Sequence, residues 1–296
     1  MYTIICCSVD PEAAAALERN VARTIGVPFE FIAFDNRSRG WGLCKVYNEC
    51  AARARYDLLC FIHEDVRFLT EGWGGKLAPQ LRAPETGVVG FAGSVLKLRR
   101  MTGWDTCGRD VRANYVQHMR GRRHPRRIGP PDADYSPVVT LDGLCLLTRR
   151  EVWRQSPFDE RTFPGFHCYD LDFSLAAAVR HTNYVCRTVL VEHFSEGSFS
   201  RAWVEGMEAL HTKWASHLPM CAEPLTEAEL ARYDRLGEGY FIRFMWQKGC
   251  FDVRGFRDAM RYLVRRPETG MAWSLLPKYV KYKLRTLLRK CRSDKR

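Results

Sequence analysis

Short apolar runs alternate with segments of helical periodicity through the first hundred residues, and this alternation constrains the fold more than any other feature. Runs rich in β-forming residues cover 3–9, 29–34 and 56–62 and are predicted strands. Between them, apolar residues recur at helical spacing over 11–25 and 43–55. A repeating order of strand and helix indicates an α/β fold with a doubly wound, mostly parallel central sheet and flanking helices.

Polar side chains stand where these three predicted strands end, and they are the first candidates for a binding site. In open parallel sheets, ligands bind in the crevice at the carboxyl ends of the strands. We therefore expect a site formed by Ser8 and Asp10, by Asp35 and Asn36, and by Glu64 and Asp65.

The second half of the chain is predicted to resume the α/β pattern after a long basic insertion. A helix over 73–81 and a strand over 87–92 precede an irregular stretch that runs to 137. The remaining predicted elements are a strand over 138–148 with Asp142 and Gly143 inside it, a short helix over 149–155, a helix over 170–181, a strand over 184–191, and helix from 199 onward.

A break rich in Pro near 218–226 divides the chain into two predicted domains. Residues 1–218 form the first, with one half at 1–98, a basic loop at 99–137 and another half at 138–218. Residues 219–296 form a helical C-terminal extension, which could serve as a dimer interface, as a platform for a substrate or as a membrane dock.

The positive charge is concentrated in two segments. The net charge is +12, and residues 97–127 and 278–296 each carry +8, so the rest of the chain sums to −4. A nucleic-acid-binding protein more often spreads basic and aromatic residues over its folded body, so no nucleic acid is expected as a partner. The tail over 275–296 has two interpretations, a basic amphipathic helix that contacts an anionic membrane surface or a solvated charged helix. The first segment supplies candidates for an anionic ligand at Arg120, Arg122, Arg123, Arg126 and Arg127.

The twelve cysteines form no C-x-x-C pair, and they are predicted to be reduced thiols, several of them buried in strands. The N-terminus lacks the pattern of a secretory signal, and no stretch reaches the roughly 18 apolar residues of a membrane span. The expected location is therefore the cytoplasm, and peripheral attachment to the inner face of the membrane follows only if the tail is the membrane-binding helix.

Two residue groups have the chemistry of a catalytic site. Asp65 and His193 follow predicted strands and suit a hard divalent cation, which needs only one or two carboxylates and an imidazole beside a diphosphate. Asp170 and Asp172 begin a predicted helix, where one carboxylate can act as a general base. The alternative is that Asp65 and these two aspartates only cap turns and helices, and that His193 is structural.

The order of these motifs resembles that of a family 2 type glycosyltransferase with the GT-A fold, over residues 1–215. The first half matches through Ser8-Val9-Asp10, Asp35-Asn36, Leu43-Cys44-Lys45-Val46-Tyr47-Asn48 and Phe61-Ile62-His63-Glu64-Asp65-Val66. The second half matches through Leu141-Asp142-Gly143-Leu144-Cys145, Gly165-Phe166-His167-Cys168-Tyr169-Asp170-Leu171-Asp172-Phe173 and Val191-Glu192-His193-Phe194-Ser195.

The resemblance implies a nucleotide-diphosphate sugar as donor, with a UDP-sugar as the first candidate, and Mn²⁺ or Mg²⁺ as cofactor. Asp65 takes the place of the last aspartate of the family's Asp-x-Asp motif and would bind the metal together with His193. His63 replaces the first aspartate of that motif and leaves the metal shell open. The implied donor-binding residues are Ser8, Asp10, Asp35, Asn36, Lys45, Glu64 and Asp65.

The resemblance also implies an inverting transfer to a glycan or lipid-linked acceptor, in bacterial surface polysaccharide or lipopolysaccharide synthesis. Asp170 would be the general base and Asp172 would hold the acceptor, with the reverse assignment as the alternative. The implied acceptor-binding residues are Trp104, Asp142, Gly143, His167 and Tyr169.

Three other functions are alternatives to this one. A nucleotidyltransferase requires a Gly-rich basic loop after the first strand, and residues 8–12 do not form one. A basic nucleic-acid-binding or scaffolding protein is disfavoured by the mildly acidic body. A degenerate glycosyltransferase that binds ligands without catalysis remains open because of His63.

Overall fold

In a computed structural model of the protein, the described residues are 1–105, 110–195, 197, 200–247 and short stretches between 257 and 284. The basic tail predicted over 275–296 lies almost entirely outside them. Within the described part of the chain, no helix combines the length and the apolar character needed to cross a membrane.

The predicted strand–helix alternation is present at the N-terminus. Its elements are β1 (Tyr2–Ser8), α1 (Pro11–Thr24), β2 (Phe29–Asp35), α2 (Leu43–Ala52) and β3 (Leu58–Ile62). Helix α1 begins where predicted because Asp10 caps it, accepting hydrogen bonds from the N–H groups of Glu12 and Ala13 at 3.0 and 3.2 Å. β1 pairs in parallel with both β2 and β3.

The central sheet has seven strands in the order β10-β13-β5-β12-β3-β1-β2. Its second half consists of β5 (Thr86–Gly90), β10 (Tyr135–Val138), β12 (Cys145–Arg149) and β13 (Thr182–Cys186). Only β10 and β12 pair antiparallel with their neighbours, so five strands run in one direction and the sheet is mostly parallel, as predicted.

A second sheet, which the sequence did not predict, lies beside the first. It comprises β4 (Val66–Phe68), β6 (Ala92–Ser94), β8 (Val111–Met119), β11 (Thr140–Leu141) and β14 (Val191–His193), in the order β11-β6-β8-β14-β4, with β9 (Arg122–Ile128) on β8. The expectation of an irregular basic loop was therefore wrong over 111–128, where β8 and β9 pair. Six of the seven residues of β9 are exposed, so backbone pairing and not an apolar pattern holds this strand.

The strand expected over 138–148 is divided by a turn at Asp142 and Gly143, which separates β11 from β12. The other helices are α3 (Trp73–Arg82), α4 (Arg150–Gln155), α5 (Tyr169–Ala178), α6 (Arg201–Lys213) and α7 (Glu227–Gln247). Between the last two, β15 (Met220–Cys221) pairs with β7 (Leu96–Lys97) and interrupts the helix expected from 199 onward.

The core consists of two apolar layers on opposite faces of the central sheet. Along β1, Ile5 belongs to one layer while Tyr2, Ile4 and Cys6 belong to the other, and all four side chains are fully buried. Burial of both faces explains the continuous apolar run, and each large side chain contributes about 1.5–3 kcal/mol to stability. The nine described cysteines are free thiols, as predicted for them.

Candidate active site

A cavity of about 980 Å³ opens at the carboxyl ends of β1 and β3, at the edge of the sheet that the sequence predicted. The predicted site residues that line it are Asn36, Glu64, Asp65, Trp104, Asp142, Gly143, His167, Tyr169, Asp170 and His193. The predicted residues that are absent from its described lining are Ser8, Asp10, Asp35, Lys45 and Asp172.

The second sheet brings Asp65 and His193 together. β4 begins one residue after Asp65, and its antiparallel pairing with β14 sets His193 opposite Val66. The N–H of Phe194 also donates to the carbonyl of Asp65 at 3.0 Å. As a result, Nε2 of His193 lies 3.6 Å from Oδ1 of Asp65.

His63 completes a cluster of three potential metal ligands. One ligand atom from each of His63, Asp65 and His193 lies within 4.8 Å of the other two. Oδ1 of Asp65 is buried and accepts no hydrogen bond, which is costly for a carboxylate oxygen. Two imidazoles and one carboxylate are a donor set that divalent metals accept, so these residues fit a bound cation.

The protonation of His63 also suits this role. Burial lowers the pKa of its imidazole, although the Asp65 carboxylate acts in the opposite direction. The backbone N–H of His63 donates to the carbonyl of Leu144 at 3.1 Å, which ties the end of β3 to the turn before β12. The neutral imidazole, the form that binds a metal, is therefore favoured on a fixed backbone.

Asp170 lies in the first turn of α5 and faces the cavity. Its Oδ2 accepts a 2.9 Å hydrogen bond from the N–H of Gly143. Burial, and then repulsion from Asp142, raise the pKa of Asp170 to about 7. A carboxylate with this pKa exchanges protons near neutral pH, which is what a general base requires.

Gly143 connects Asp170 to the three-residue cluster. Its carbonyl accepts a hydrogen bond from Oη of Tyr169 at 3.0 Å, and that same Oη lies 2.7 Å from Nε2 of His63. A Cβ at position 143 would lie 2.1 Å from Oη of Tyr169. Only glycine allows this close approach, so the residue type follows from the packing of Tyr169.

Asp172 points in a different direction from Asp170. Its Oδ1 accepts a 2.8 Å hydrogen bond from Nε1 of Trp214, and its Oδ2 accepts one of 2.9 Å from Nζ of Lys213. Lys213 also donates to Asp159 at 2.8 Å. Both carboxylate oxygens of Asp172 are thus held by donors at the C-terminal end of α6, and the residue ties α5 to that helix.

Asn36 shapes one wall of the cavity through its contacts with Trp41. The Asn36 side chain donates to the Trp41 carbonyl at 2.8 Å and accepts from the Trp41 N–H at 2.9 Å. Nζ of Lys45 lies 3.9 Å from the centre of the Trp41 ring. Asn36 and Lys45 therefore both contact Trp41, which itself lines the cavity.

The other predicted donor-binding residues form hydrogen bonds with neighbouring groups of the protein. Asp35 lies at the surface, where its hydrogen bonds from Arg37 lower the pKa of its carboxyl to about 2. The carbonyl of Ser8 accepts from the N–H of Asn36 at 2.9 Å. The carboxylate of Glu64 accepts a 3.2 Å hydrogen bond from the N–H of Asp10, the residue that caps α1.

Helices α6 and α7 contribute an aromatic wall to the same cavity, and sequence reasoning missed it. The aromatic wall consists of Trp203, Tyr240, Phe241 and Phe244. The Trp203 ring centre lies 5.8 Å from that of Phe241 and 5.4 Å from that of Phe244. The only sequence signal is the helical spacing of the α7 aromatics, which does not reveal what they face.

The arginines of the basic segment lie outside the cavity. Strand β9 contains Arg122, Arg123, Arg126 and Arg127. Neither these four arginines nor Arg120 belongs to the described lining of the cavity. Nε of Arg123 pairs at 2.9 Å with Glu192, which belongs to β14. The interpretation of these arginines as binding an anionic ligand in the cavity thus has no support from the geometry.

Several solved structures are similar to this chain. TarS residues 1–349 of S. aureus align over 88% of this chain and 78% of that one, with 14% identity and a TM-score of 0.52. TarS in complex with UDP aligns over 82% of this chain and 71% of that one, with 13% identity and a TM-score of 0.50. GalNAc-T7 with UDP, GalNAc and Mn²⁺ has 9% identity and a TM-score of 0.47. The chain aligns over 97% of its own length with GalNAc-T7 and spans only 58% of that protein.

The TarS similarity confirms the predicted fold class, a central sheet flanked by helices as in GT-A glycosyltransferases. No curated protein matches the chain. Residues 3–209 match the sequence profile described as a glycosyltransferase like family. Because that match covers more than half of the 296 residues, the chain belongs to this glycosyltransferase family.

Proposed function

We propose that the protein is an inverting, metal-dependent glycosyltransferase that moves a sugar from a UDP-sugar to a glycan or lipid-linked acceptor. The observation that carries the proposal is that one cavity holds both the His63–Asp65–His193 cluster and Asp170. Membership of a glycosyltransferase family supports the reaction class. The proposed setting is the synthesis of a bacterial surface polysaccharide or lipopolysaccharide.

The donor side of the site is proposed to hold Mn²⁺ or Mg²⁺ on His63, Asp65 and His193. When bound, such a cation supplies positive charge that stabilises the diphosphate leaving group. Asn36 and Trp41 would hold the nucleotide, with Glu64 beside them. UDP is the nucleotide of choice because TarS, with the same fold, was solved with UDP.

Asp170 is proposed to accept the proton of the attacking hydroxyl. The acceptor oxygen forms a bond to the anomeric carbon, the bond from that carbon to the phosphate oxygen breaks, and its electron pair leaves with UDP. The hydroxyl proton passes to the Asp170 carboxylate, which Gly143 holds in place at 2.9 Å. A single displacement of this kind inverts the anomeric configuration. Asp172 acts by position, because it fixes α5 against α6.

The aromatic wall is proposed to form the acceptor side, together with Trp104, Asp142 and His167. Aromatic rings offer large apolar faces, against which the C–H face of a sugar or the isoprenoid part of a lipid-linked acceptor can pack. The C-terminal region would then be an acceptor platform. The basic segment 278–296 remains the argument for peripheral attachment at the cytoplasmic face of a membrane.

The experiment that tests this proposal measures sugar transfer from a panel of UDP-sugars to glycan and lipid-linked acceptors, with Mn²⁺ or Mg²⁺ present. We expect release of UDP with one donor, and NMR of the product should give the inverted anomer. A retained anomer would contradict the mechanism. Tight binding of a UDP-sugar without turnover would instead favour a degenerate, binding-only protein.

A further inference from the structure

A lysine is buried next to the cavity, and the proposed chemistry does not use it. Lys97 lies in β7, and its side chain has no solvent exposure. Proteins almost never bury a lysine completely unless a charged partner accompanies it. Within the described part of the chain, however, the hydrogen bonds that the Lys97 ammonium group donates all go to neutral acceptors.

These hydrogen bonds end at two residues that line the cavity. Nζ of Lys97 donates to the carbonyls of Thr102 and Gly103 at 2.6 and 2.8 Å, and to Oγ1 of Thr102 at 3.3 Å. An ammonium group has three N–H donors, so each of them has an acceptor here. Thr102 and Gly103 line the cavity together with Trp104 and Asp105. Lys97 therefore holds this part of the cavity wall without being one of its lining residues.

The segment 102–105 has further anchors at both ends. Nε2 of His211, a residue of α6, accepts the N–H of Thr102 at 3.4 Å. Oγ1 of Thr140 donates to the carbonyl of Trp104 at 2.8 Å. The backbone on either side of Gly103 is thus fixed to the rest of the protein, and the Lys97 ammonium group supplies the hold in between.

The same segment packs against the aromatic wall. A Cβ placed on Gly103 would lie 4.0 Å from Cζ2 of Trp203, which is an ordinary van der Waals distance. Trp104 is the next residue along the chain and lines the same cavity. Because one residue of backbone connects the Lys97 hydrogen bonds to Trp104, a change at Lys97 is expected to move the Trp104 ring.

We propose that Lys97 is a positioning residue for the acceptor side of the cavity, because its ammonium group holds Thr102 and Gly103 so that the Trp104 ring stays in the cavity wall. The inference rests on the proposed function where it assigns Trp104 to the acceptor. A neutral amine has two N–H groups and one lone pair, so it cannot donate to all three acceptors. The segment should therefore shift when the ammonium group loses its proton.

The charge of Lys97 is expected to change near neutral pH. Burial lowers the pKa of this side chain to about 7. Burial also lowers the pKa of His211 to about 3, so this neighbour stays neutral over the same range. The titratable groups that act on Lys97 come from the start of α5, from the chain after β7 and from α6, and they are Cys168, Asp170, Asp105, Asp110 and His211.

Fluorine NMR of protein labelled with 5-fluorotryptophan measures the position of Trp104. The chain has eight tryptophans, and Trp104→Phe assigns the resonance of interest. We expect this resonance to move in Lys97→Met, which removes the three donors and keeps the length of the side chain. The resonance of Trp73, in the other core layer, should stay in place. Lys76→Met makes the same change at an exposed position on α3 and should leave the Trp104 resonance unchanged.

The pH dependence of the same resonance decides the question even if Lys97→Met does not fold. In wild type, the Trp104 resonance should move with a midpoint near pH 7. Asp170 has a pKa in the same range, so the titration is repeated in Asp170→Asn, where the movement should persist. In folded Lys97→Met it should be absent.

Binding and kinetics show which side of the reaction depends on Lys97. The affinity for UDP with Mn²⁺, measured by calorimetry, should be the same in Lys97→Met and in wild type. With the donor and acceptor that the transfer assay identifies, KM for the acceptor should rise about 2–10-fold in Lys97→Met through loss of ring packing. KM for the UDP-sugar should not change.

The outcomes that would overturn this inference differ from those that would overturn the proposed function. A Trp104 resonance at its wild-type position in folded Lys97→Met, or one that does not respond to pH in wild type, would show that the ammonium group does not hold the segment. The proposed function would then stand. If no donor and acceptor support transfer, the proposed function fails, and the fluorine resonance still shows whether Lys97 positions Trp104.

Discussion

The N–H of Gly143 donates a 2.9 Å hydrogen bond to Oδ2 of Asp170, and the carbonyl of the same glycine accepts one from Tyr169. Tyr169 in turn contacts His63 at 2.7 Å. One peptide turn therefore positions both the proposed base and a proposed metal ligand. This link explains how a short turn between β11 and β12 can set the distance between the two halves of the site.

Asp170→Asn should abolish turnover without unfolding the protein. We expect kcat to fall by about 10²–10⁴ because the amide cannot accept the hydroxyl proton. Binding of UDP, measured by calorimetry, should stay at the wild-type level, because Asp170 does not contact the proposed cation cluster. A kcat within a few-fold of wild type would contradict the assignment of Asp170 as the base.

The pH dependence follows from the pKa of about 7 for Asp170. The base acts in its ionised form, so kcat should rise with pH through about 7 and then level off. Stability should change in the opposite direction. The unfolded carboxyl ionises near 3.8 and the folded one near 7, so the free energy of unfolding decreases as pH rises between these values.

Urea unfolding at pH 5 and pH 8 checks the expected decrease in the free energy of unfolding with rising pH. The loss of stability between these pH values should be smaller in Asp170→Asn than in wild type, because the variant lacks the group that ionises. Equal losses in the two proteins would mean that Asp170 is not the buried group responsible.

Asp172→Asn should act on stability rather than on chemistry. The variant keeps the shape of the side chain but weakens its hydrogen bonds from Lys213 and Trp214, at a cost of about 1–3 kcal/mol. Urea unfolding measures the change. At temperatures well below its melting point, the folded variant should keep kcat within about tenfold of wild type. A loss of kcat as large as that of Asp170→Asn, at wild-type stability, would support the reverse assignment of the two aspartates.

Tyr240→Ala tests the acceptor side, because this residue of the aromatic wall is 46% exposed and contributes little to the core. We expect KM for the acceptor to rise about 2–10-fold through loss of ring packing. KM for the UDP-sugar is the internal control and should not change. A rise in KM for the UDP-sugar alone would place the aromatic wall at the donor site instead.

The N-terminal part of this fold follows directly from sequence, because β1, β2 and β3 are buried strands separated by helices of clear periodicity. The second sheet does not. β9 is a run of exposed basic residues, and only its pairing with β8, a long-range contact, makes it a strand.

Within the site, the sequence identified Asp65, Asp170 and His193 by their positions at the ends of strands or the start of a helix. It did not show that Asp172 faces Lys213, because two residues along a helix already point in different directions. Nor did it show that His63 joins the cluster, since that depends on the pairing of β4 with β14. The aromatic wall depends on how α7 packs, which no local pattern specifies.

The most direct test of the proposed function is a thermal shift measurement with UDP, with and without Mn²⁺, on wild type and Asp65→Ala. We predict that UDP with Mn²⁺ at about 100 times Kd raises the melting temperature of wild type by about 5–10 °C. The shift should require the metal and should be lost in Asp65→Ala. Asp132→Ala, which removes an exposed carboxylate after β9, should keep it. A shift of equal size in Asp65→Ala, or one that does not depend on Mn²⁺, would contradict a UDP-sugar site built on this metal cluster.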